Sequence, residues 1–378
     1  MVKFLQGSVK NFFRIDSQKC DVLILDAVGS EHIKECIPSR SSNVVLPVRG
    51  IVPWIFSVEF VYRLVYRLIQ RHSLGTSVLF SIIDTLKPKV VITFIDNNYL
   101  IGKIHNFFHG KLLISFQNGI RGGRYGGWNQ KINFSILYGF GDYERDYILQ
   151  RDINFLEYNP IGSLKYGIYC DKFRHQKKND KYDVVLISQY TSSELLMGEL
   201  SRKHMKKLYK CIASICSNNN LSFAVALRYE TKNNQINSEI DFFQSVGCTE
   251  AIKLIPNNYN TFDSYNAVSS ARVAISHSST LAFECFGGGT KMMFSALMQN
   301  DYLCKELGMH GSFEQMPKEV LLYSFKSGHI DDKLMKLLGM KHEEYMEVTH
   351  SARSYYMKFS EVYPHKVVMR KIEDYLSG

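Results

Sequence analysis

Ala274-Ile275-Ser276-His277-Ser278-Ser279-Thr280-Leu281-Ala282-Phe283-Glu284-Cys285-Phe286-Gly287-Gly288-Gly289-Thr290-Lys291-Met292-Met293-Phe294 is the stretch that decides the fold. The apolar run Val273 to Ile275 reads as a buried strand, a hydroxyl cluster follows, and an apolar segment carrying one carboxylate is stopped by three glycines. Met292 to Phe294 then opens another strand. The unit is strand, helix, strand, with polar chemistry at one end. A helix that starts near Ser279 exposes first-turn N–H groups without intrahelical partners, beside the hydroxyls of Ser278, Ser279 and Thr280. Such a terminus holds an anion well. Glu284 lies about one turn after Thr280, so its carboxylate shares a face with those hydroxyls and could accept from a ribose diol. The competing reading is a capped helix with Glu284 on a solvated face. A carboxylate between Phe283 and Cys285 in an otherwise apolar helix favours function.

The order of hydroxyl cluster, Glu, Gly and then Lys, on Ser278 to Thr280, Glu284, Gly289 and Lys291, resembles the donor-nucleotide motif of GT-B glycosyltransferases. The wider chain resembles the bacterial surface carbohydrate biosynthesis proteins. Asp21 to Asp26, Phe94-Ile95-Asp96-Asn97, Phe116-Gln117-Asn118-Gly119-Ile120-Arg121 and Pro160-Ile161-Gly162-Ser163 carry that likeness. It implies an α/β chain of two Rossmann-like lobes with parallel sheets facing a central cleft, and a sugar transferred from a nucleotide donor to a capsule or lipopolysaccharide glycan.

Length agrees with two lobes, since 378 residues exceed one core at about 150 residues per domain. Apolar runs Asp21 to Val28, Val44 to Val48, Val90 to Ile95 and Leu112 to Phe116 alternate with helical segments such as Tyr99 to Phe108. A second series comprises Val184 to Ser188, Phe223 to Leu227, Ala251 to Leu254, Val273 to Ile275 and Met292 to Phe294, with helices at Glu194 to Cys216 and Asn260 to Ser269. Pro160 and Gly162 punctuate the boundary. The expected domains are an acceptor lobe over 1–160, a donor lobe over 161–350, and a terminal helix over roughly 350–376 that, from the resemblance, crosses back to the first lobe.

The 46 Lys and Arg against 36 Asp and Glu give a net charge of +10, which suits anionic partners. There is no zinc-finger spacing, helix-turn-helix signal or RNP-like aromatic motif, so nucleic acid is not expected as a partner. The eight cysteines form no Cys-x-x-Cys pair and read as reduced thiols of a cytoplasmic protein. Neither a secretory leader nor a membrane-length apolar run is evident. Ile51 to Ile69, whose apolar residues are broken by Glu59, Arg63 and Arg67 at four-residue spacing, reads as an amphipathic helix. It is either buried in a lobe or a contact with the inner face of the bacterial inner membrane, where a lipid-linked acceptor would reside.

Ligands of open parallel sheets sit beyond the carboxyl ends of the strands. Asp96 follows the third strand and is the candidate general base for an acceptor hydroxyl; Asp26 and Glu31 compete, and an Asx turn with Asn97 and Asn98 is an equal alternative. Asp26, Gln117, Asn118 and Arg121 are candidate acceptor contacts, and the glycine-rich run through Trp128 is a candidate substrate-ordered loop. In the second lobe Ser188, Gln189, Arg228 and His277 join Ser278, Ser279, Thr280 and Glu284 as donor candidates. Transferases of CMP-linked acidic sugars in this fold often carry His-Pro where this chain reads Leu227-Arg228-Tyr229-Glu230, a departure that weakens the case for such a donor while leaving both a CMP-linked ulosonic acid and a UDP-sugar open, since Arg228 could meet a carboxylate or a diphosphate. With no Asp-x-Asp at a strand end and no paired histidines, neither a metal nor another cofactor is expected. Leaving-group charge would fall to helix N-termini and Arg or Lys. The rival readings are a CDP-polyol phosphotransferase of the teichoic-acid type and a non-catalytic nucleotide-sugar or glycan-binding subunit.

Overall fold

The structure is a computed structural model describing residues 12–15, 18–48, 52–55, 57–94, 96, 99–108, 110–120, 132–149, 153–173, 180–258, 261–300, 302 and 313–378. Two six-stranded parallel sheets form two lobes. The first contains β1 (Phe12–Ile15), β2 (Val22–Leu25), α1 (Ser30–Lys34), β3 (Asn43–Leu46), β4 (Val52–Ile55), α2 (Val58–Ile69), α3 (Leu74–Leu86), β5 (Val90–Thr93), α4 (Tyr99–Phe107), β6 (Leu112–Phe116), β7 (Ile132–Gly139), α5 (Asp142–Leu149) and β8 (Ile153–Pro160). Its main sheet runs β3-β2-β5-β6-β7-β8, and β1 pairs with β4 in a separate parallel ribbon.

The second lobe contains α6 (Leu164–Phe173), β9 (Tyr182–Ile187), α7 (Leu196–Asn218), β10 (Phe223–Ala226), α8 (Ile236–Ser245), β11 (Lys253–Ile255), α9 (Asp263–Ser269), β12 (Ala271–Ser276), α10 (Thr280–Gly287), β13 (Met292–Ser295) and β14 (Leu321–Leu322). Its sheet runs β11-β10-β9-β12-β13-β14. Three helices follow: α11 (Ser327–Gly339), α12 (His342–Tyr356) and α13 (Pro364–Ser377).

Both sheets are covered on both faces, which is why their central strands read as unbroken apolar runs. Along β2, Val22 and Ile24 join the core that continues into the second lobe, while Leu23 and Leu25 join the core under α2 and α3. Successive side chains thus fill the two sides of one sheet.

Three elements differ from the sequence expectation. The stretch expected as one helix from Ile51 is a strand, β4, followed by α2, whose N-cap Ser57 accepts from the Phe60 N–H at 3.0 Å. The single terminal helix is two, because Pro364 sits at the start of α13 and its missing N–H suits a first turn and not an interior. Strands β7 and β8, which carry Asn133, Ser135, Asn154 and Glu157 among their apolar residues, close the first sheet beyond β6.

The C-terminal helices pack on both lobes. The Lys358 N–H donates to the Phe140 carbonyl at 2.7 Å, Lys371 pairs with Glu157 at 3.3 Å, and the Tyr375 hydroxyl donates to the Gly110 carbonyl at 2.7 Å. The glycines at the end of α10 allow close packing. A Cβ on Gly287 would lie 2.4 Å from Met357 beside the C-terminal helices, one on Gly288 1.9 Å from the Tyr166 hydroxyl of α6, and Gly289 has φ +87°. Among the described residues no helix is long and apolar enough to cross a membrane.

Candidate functional site

Helix α10 begins where the two lobes meet. Ser279 is its N-cap, in extended conformation, and makes no side-chain cap hydrogen bond. A hydroxyl that leaves the first-turn N–H groups uncapped removes the simplest structural reason for its presence. The Thr280 hydroxyl accepts from the Ile120 N–H at 3.2 Å, so the segment after β6 in the first lobe is bonded directly to the start of α10 in the second. Next to it the Ser278 N–H donates to Gln189 Oε1 at 2.9 Å, tying the end of β12 to the end of β9. Ser278, Ser279, Thr280 and Gln189 are half-buried and thus line one junction of strand ends.

The neighbouring strand ends rest on a residue that sequence reading passed over. Glu239 of α8 is fully buried and accepts from the Arg228 N–H at 3.0 Å, the Tyr229 N–H at 3.1 Å and the Ser188 hydroxyl. Burial raises its pKa, and these donors pull the other way. Ser188 therefore faces inward to Glu239. The backbone of Arg228 is pinned, whereas its exposed side chain donates to the Tyr190 carbonyl at 3.0 Å and borders an open pocket of about 260 Å³ with Tyr229, Glu230, Lys232 and Asn233.

Glu284 is also buried. Its Oε1 accepts from the Ser163 hydroxyl at 2.5 Å and its Oε2 from the Tyr265 hydroxyl at 2.7 Å. Desolvation raises its pKa against those two bonds and the nearby Lys165 ammonium. Glu284 is not the solvated face residue of the simpler reading. Each oxygen already serves one hydroxyl, so a ribose diol would share the carboxylate with Ser163 and Tyr265 or displace one of them. His277 is buried too; its Nδ1 lies 3.2 Å from the Ser295 carbonyl, and burial lowers its pKa to about 4, so the ring is neutral.

In the first lobe Asp96 is buried beyond the end of β5. Asn97 and Asn98, its alternative turn partners, lie outside the described residues, as do Arg121 and the glycine run to Trp128. Asp26 is buried after β2 at φ +90° and accepts from the Val28 N–H at 3.3 Å. Glu31, its exposed competitor, lies 3.3 Å from His32 Nε2. Gln117 is occupied with the backbone: its Oε1 accepts from the Phe140 N–H at 2.6 Å and its Nε2 donates to the Gly119 carbonyl at 3.0 Å. It shapes the turn that carries half-buried Asn118 and brings Ile120 to α10.

His32 was not anticipated. It is buried on α1 between Phe94 of its own lobe and Phe262 of the other, with ring centroids 6.3 and 6.4 Å away. Burial first, then Lys165 and Lys172, lowers its pKa to about 3. No spacing rule marks it, because its neighbours come from distant parts of the chain.

Two Rossmann-like lobes with strand ends meeting across a junction define the architecture. The chain has the GT-B fold. A family model described as "putative O-antigen biosynthesis protein" matches residues 153–306, from β8 past β13. Among solved structures, the UDP-GlcNAc 2-epimerase of Neisseria meningitidis bound to UDP-GlcNAc is similar over 96% of this chain and 100% of its own, at TM-score 0.54 and 13% identity. A wall teichoic acid polymerase covers 100% of this chain and 93% of its own at TM-score 0.52 and 12% identity. The sucrose-phosphate synthase of Thermosynechococcus elongatus covers 94% and 98% at TM-score 0.51 and 9% identity. No curated protein matches the sequence. The likeness in sequence to O-antigen biosynthesis proteins thus spans residues 153–306, and the likeness in fold to these solved structures spans nearly the whole chain. At these identities the structures share the fold of nucleotide-sugar enzymes, and the fold hosts more than one reaction.

Proposed function

We propose that the protein is a metal-independent GT-B glycosyltransferase that moves a sugar from a nucleotide donor to a bacterial surface glycan. The observation that carries this reading is the N-terminus of α10 at the junction of the lobes, not capped by the Ser279 side chain and bonded to β6's loop through Thr280 and to β9's end through Ser278. Donor phosphates would lie against Ser278, Ser279 and Thr280, where N–H groups and the helix dipole favour negative charge. Gln189 and Arg228 would border the nucleotide, with Ser188 and His277 as the buried floor and Glu284 taking the ribose through its remaining lone pairs.

The acceptor would approach from the first lobe, past Asp26, Gln117, Asn118 and Arg121. Asp96 would take the proton of the acceptor hydroxyl as its oxygen attacks the anomeric carbon. The nucleotide leaves with the electron pair of the broken C–O bond, its charge held at α10, and the configuration inverts. The family match over 153–306 supports a glycan acceptor of the O-antigen kind; such an acceptor would be carried on lipid at the cytoplasmic face of the inner membrane.

Mass spectrometry of reactions containing UDP-, CMP- and GDP-sugars, and in parallel CDP-polyols, with lipid-linked acceptors tests the reading. It expects a free nucleotide, a sugar-extended acceptor, and a loss of about 10²- to 10⁴-fold in Asp96→Asn. A polyol-phosphate linkage in the product would select the phosphotransferase, and nucleotide binding without any turnover would select the binding subunit.

A further inference from the structure

Helix α2 is built inside out. Its charged stripe runs from the surface inward: Glu59 is exposed, Arg63 bridges Glu59 at 2.7 Å and Asp84 of α3 at 3.9 Å, and Arg67 reaches Asp84 at 2.6 Å with its side chain only 11% exposed. Phe60 and Leu64 fill the adjoining core. The remaining apolar side chains, Val58, Val61, Tyr62, Val65, Tyr66, Leu68 and Ile69, point outward, with Val58 88%, Tyr62 71% and Ile69 73% exposed. Leu74 at the start of α3 extends the face at 64% exposed. A surface helix of a globular protein normally does the opposite, and a contiguous outward apolar face marks an interaction site.

Charge identifies the occupant. Lys19, Arg63 and Lys87 surround the exposed Glu59, and the exposed Arg71 follows the helix, while the Arg67–Asp84 pair is turned inward and takes no part. Cations outnumber carboxylates along the flank of the apolar face, in a chain of net charge +10. A second copy seated symmetrically would bring the same cations together. An anionic bilayer complements them, with Tyr62 and Tyr66 suited to the boundary between head groups and acyl chains. We propose that the α2 face docks the first lobe on an anionic phospholipid surface. This extends the transferase reading, because the lobe assigned to the acceptor is the one held at the membrane.

The test is co-sedimentation of the full chain with phosphatidylglycerol-containing vesicles and with purely zwitterionic ones, for wild type and the double variant Val65→Glu, Ile69→Glu. Wild type should bind the anionic vesicles, less in raised salt, and the double variant about tenfold or more weakly while keeping its melting temperature. Arg71→Glu, which leaves the apolar face intact, should also weaken binding. Equal binding by wild type and double variant would overturn the proposal. So would no vesicle binding by wild type, or a wild-type dimer in light scattering that the double variant converts to monomer. Nucleotide titration of the same samples separates this from the donor site: retained nucleotide affinity without vesicle binding defeats the docking surface alone.

Discussion

Two buried glutamates of the second lobe make an instructive pair. Glu239 accepts chiefly from backbone N–H groups, those of Arg228 and Tyr229, and so fixes the turn after β10 to α8 within one lobe. Glu284 accepts from two side-chain hydroxyls, Ser163 in the connector between the lobes and Tyr265 on α9. Backbone donors have no alternative partner when their acceptor is removed, whereas hydroxyls rotate. The first carboxylate is therefore part of the scaffold, and the second is an adjustable tie at the connector between the lobes.

Removing Glu239 should break this contrast most severely. Glu239→Ala leaves two buried N–H groups and the Ser188 hydroxyl without an acceptor, and a loss of about 3–4 kcal/mol is expected in the urea midpoint. A loss no larger than that of Glu284→Ala would contradict the distinction.

Acid should come next. His277, neutral and buried, has its pKa lowered from 6.5 to about 4. The unfolded chain therefore binds the proton first, and the stability present above pH 6.5 is lost as pH falls toward 4. The expected loss is on the order of 2–3 kcal/mol, and His32, lowered to about 3, acts in the same direction over a wider window. His277→Gln should flatten the profile of urea midpoint against pH.

The Glu284 tie should give the smallest effect and the opposite slope. Glu284 has a raised folded-state pKa, so its contribution is full below its ordinary 4.5 and declines as pH rises through the folded value. Glu284→Gln should cost about 1 kcal/mol or less at low pH and gain ground on wild type as pH rises. In a double-mutant cycle with Ser163→Ala, a coupling of about 0.5–1 kcal/mol is expected; zero coupling would mean that the tie does not hold.

The sequence disclosed what depends on contiguous residues. Strands β2, β5, β6, β9, β10, β12 and β13 were legible because burial on both faces forces unbroken apolar runs, and the start of α10 because Ser279 and Thr280 immediately follow a strand. Strands β7 and β8 were hidden by polar residues such as Ser135 and Glu157. The α2 reading found the right periodicity and could not say which face met the protein, since periodicity carries no sign. Glu239 looked like any exposed helix glutamate in Ile236-Asn237-Ser238-Glu239, and only the fold brings it under Arg228. Glu284 was singled out for its apolar surroundings, while Ser163, 121 positions away, was read as a boundary residue and not as its partner.

The most direct test of the account is isothermal calorimetry of UDP, CDP, CMP and GDP with wild type, Arg228→Ala and a Ser279→Asp variant that places negative charge at the start of α10. The account predicts that one nucleotide binds selectively, that Arg228→Ala weakens it about tenfold, and that Ser279→Asp abolishes it by repulsion of the phosphate. Selective binding left intact by Ser279→Asp would put the phosphates elsewhere, and binding of none of the four would contradict the donor site itself.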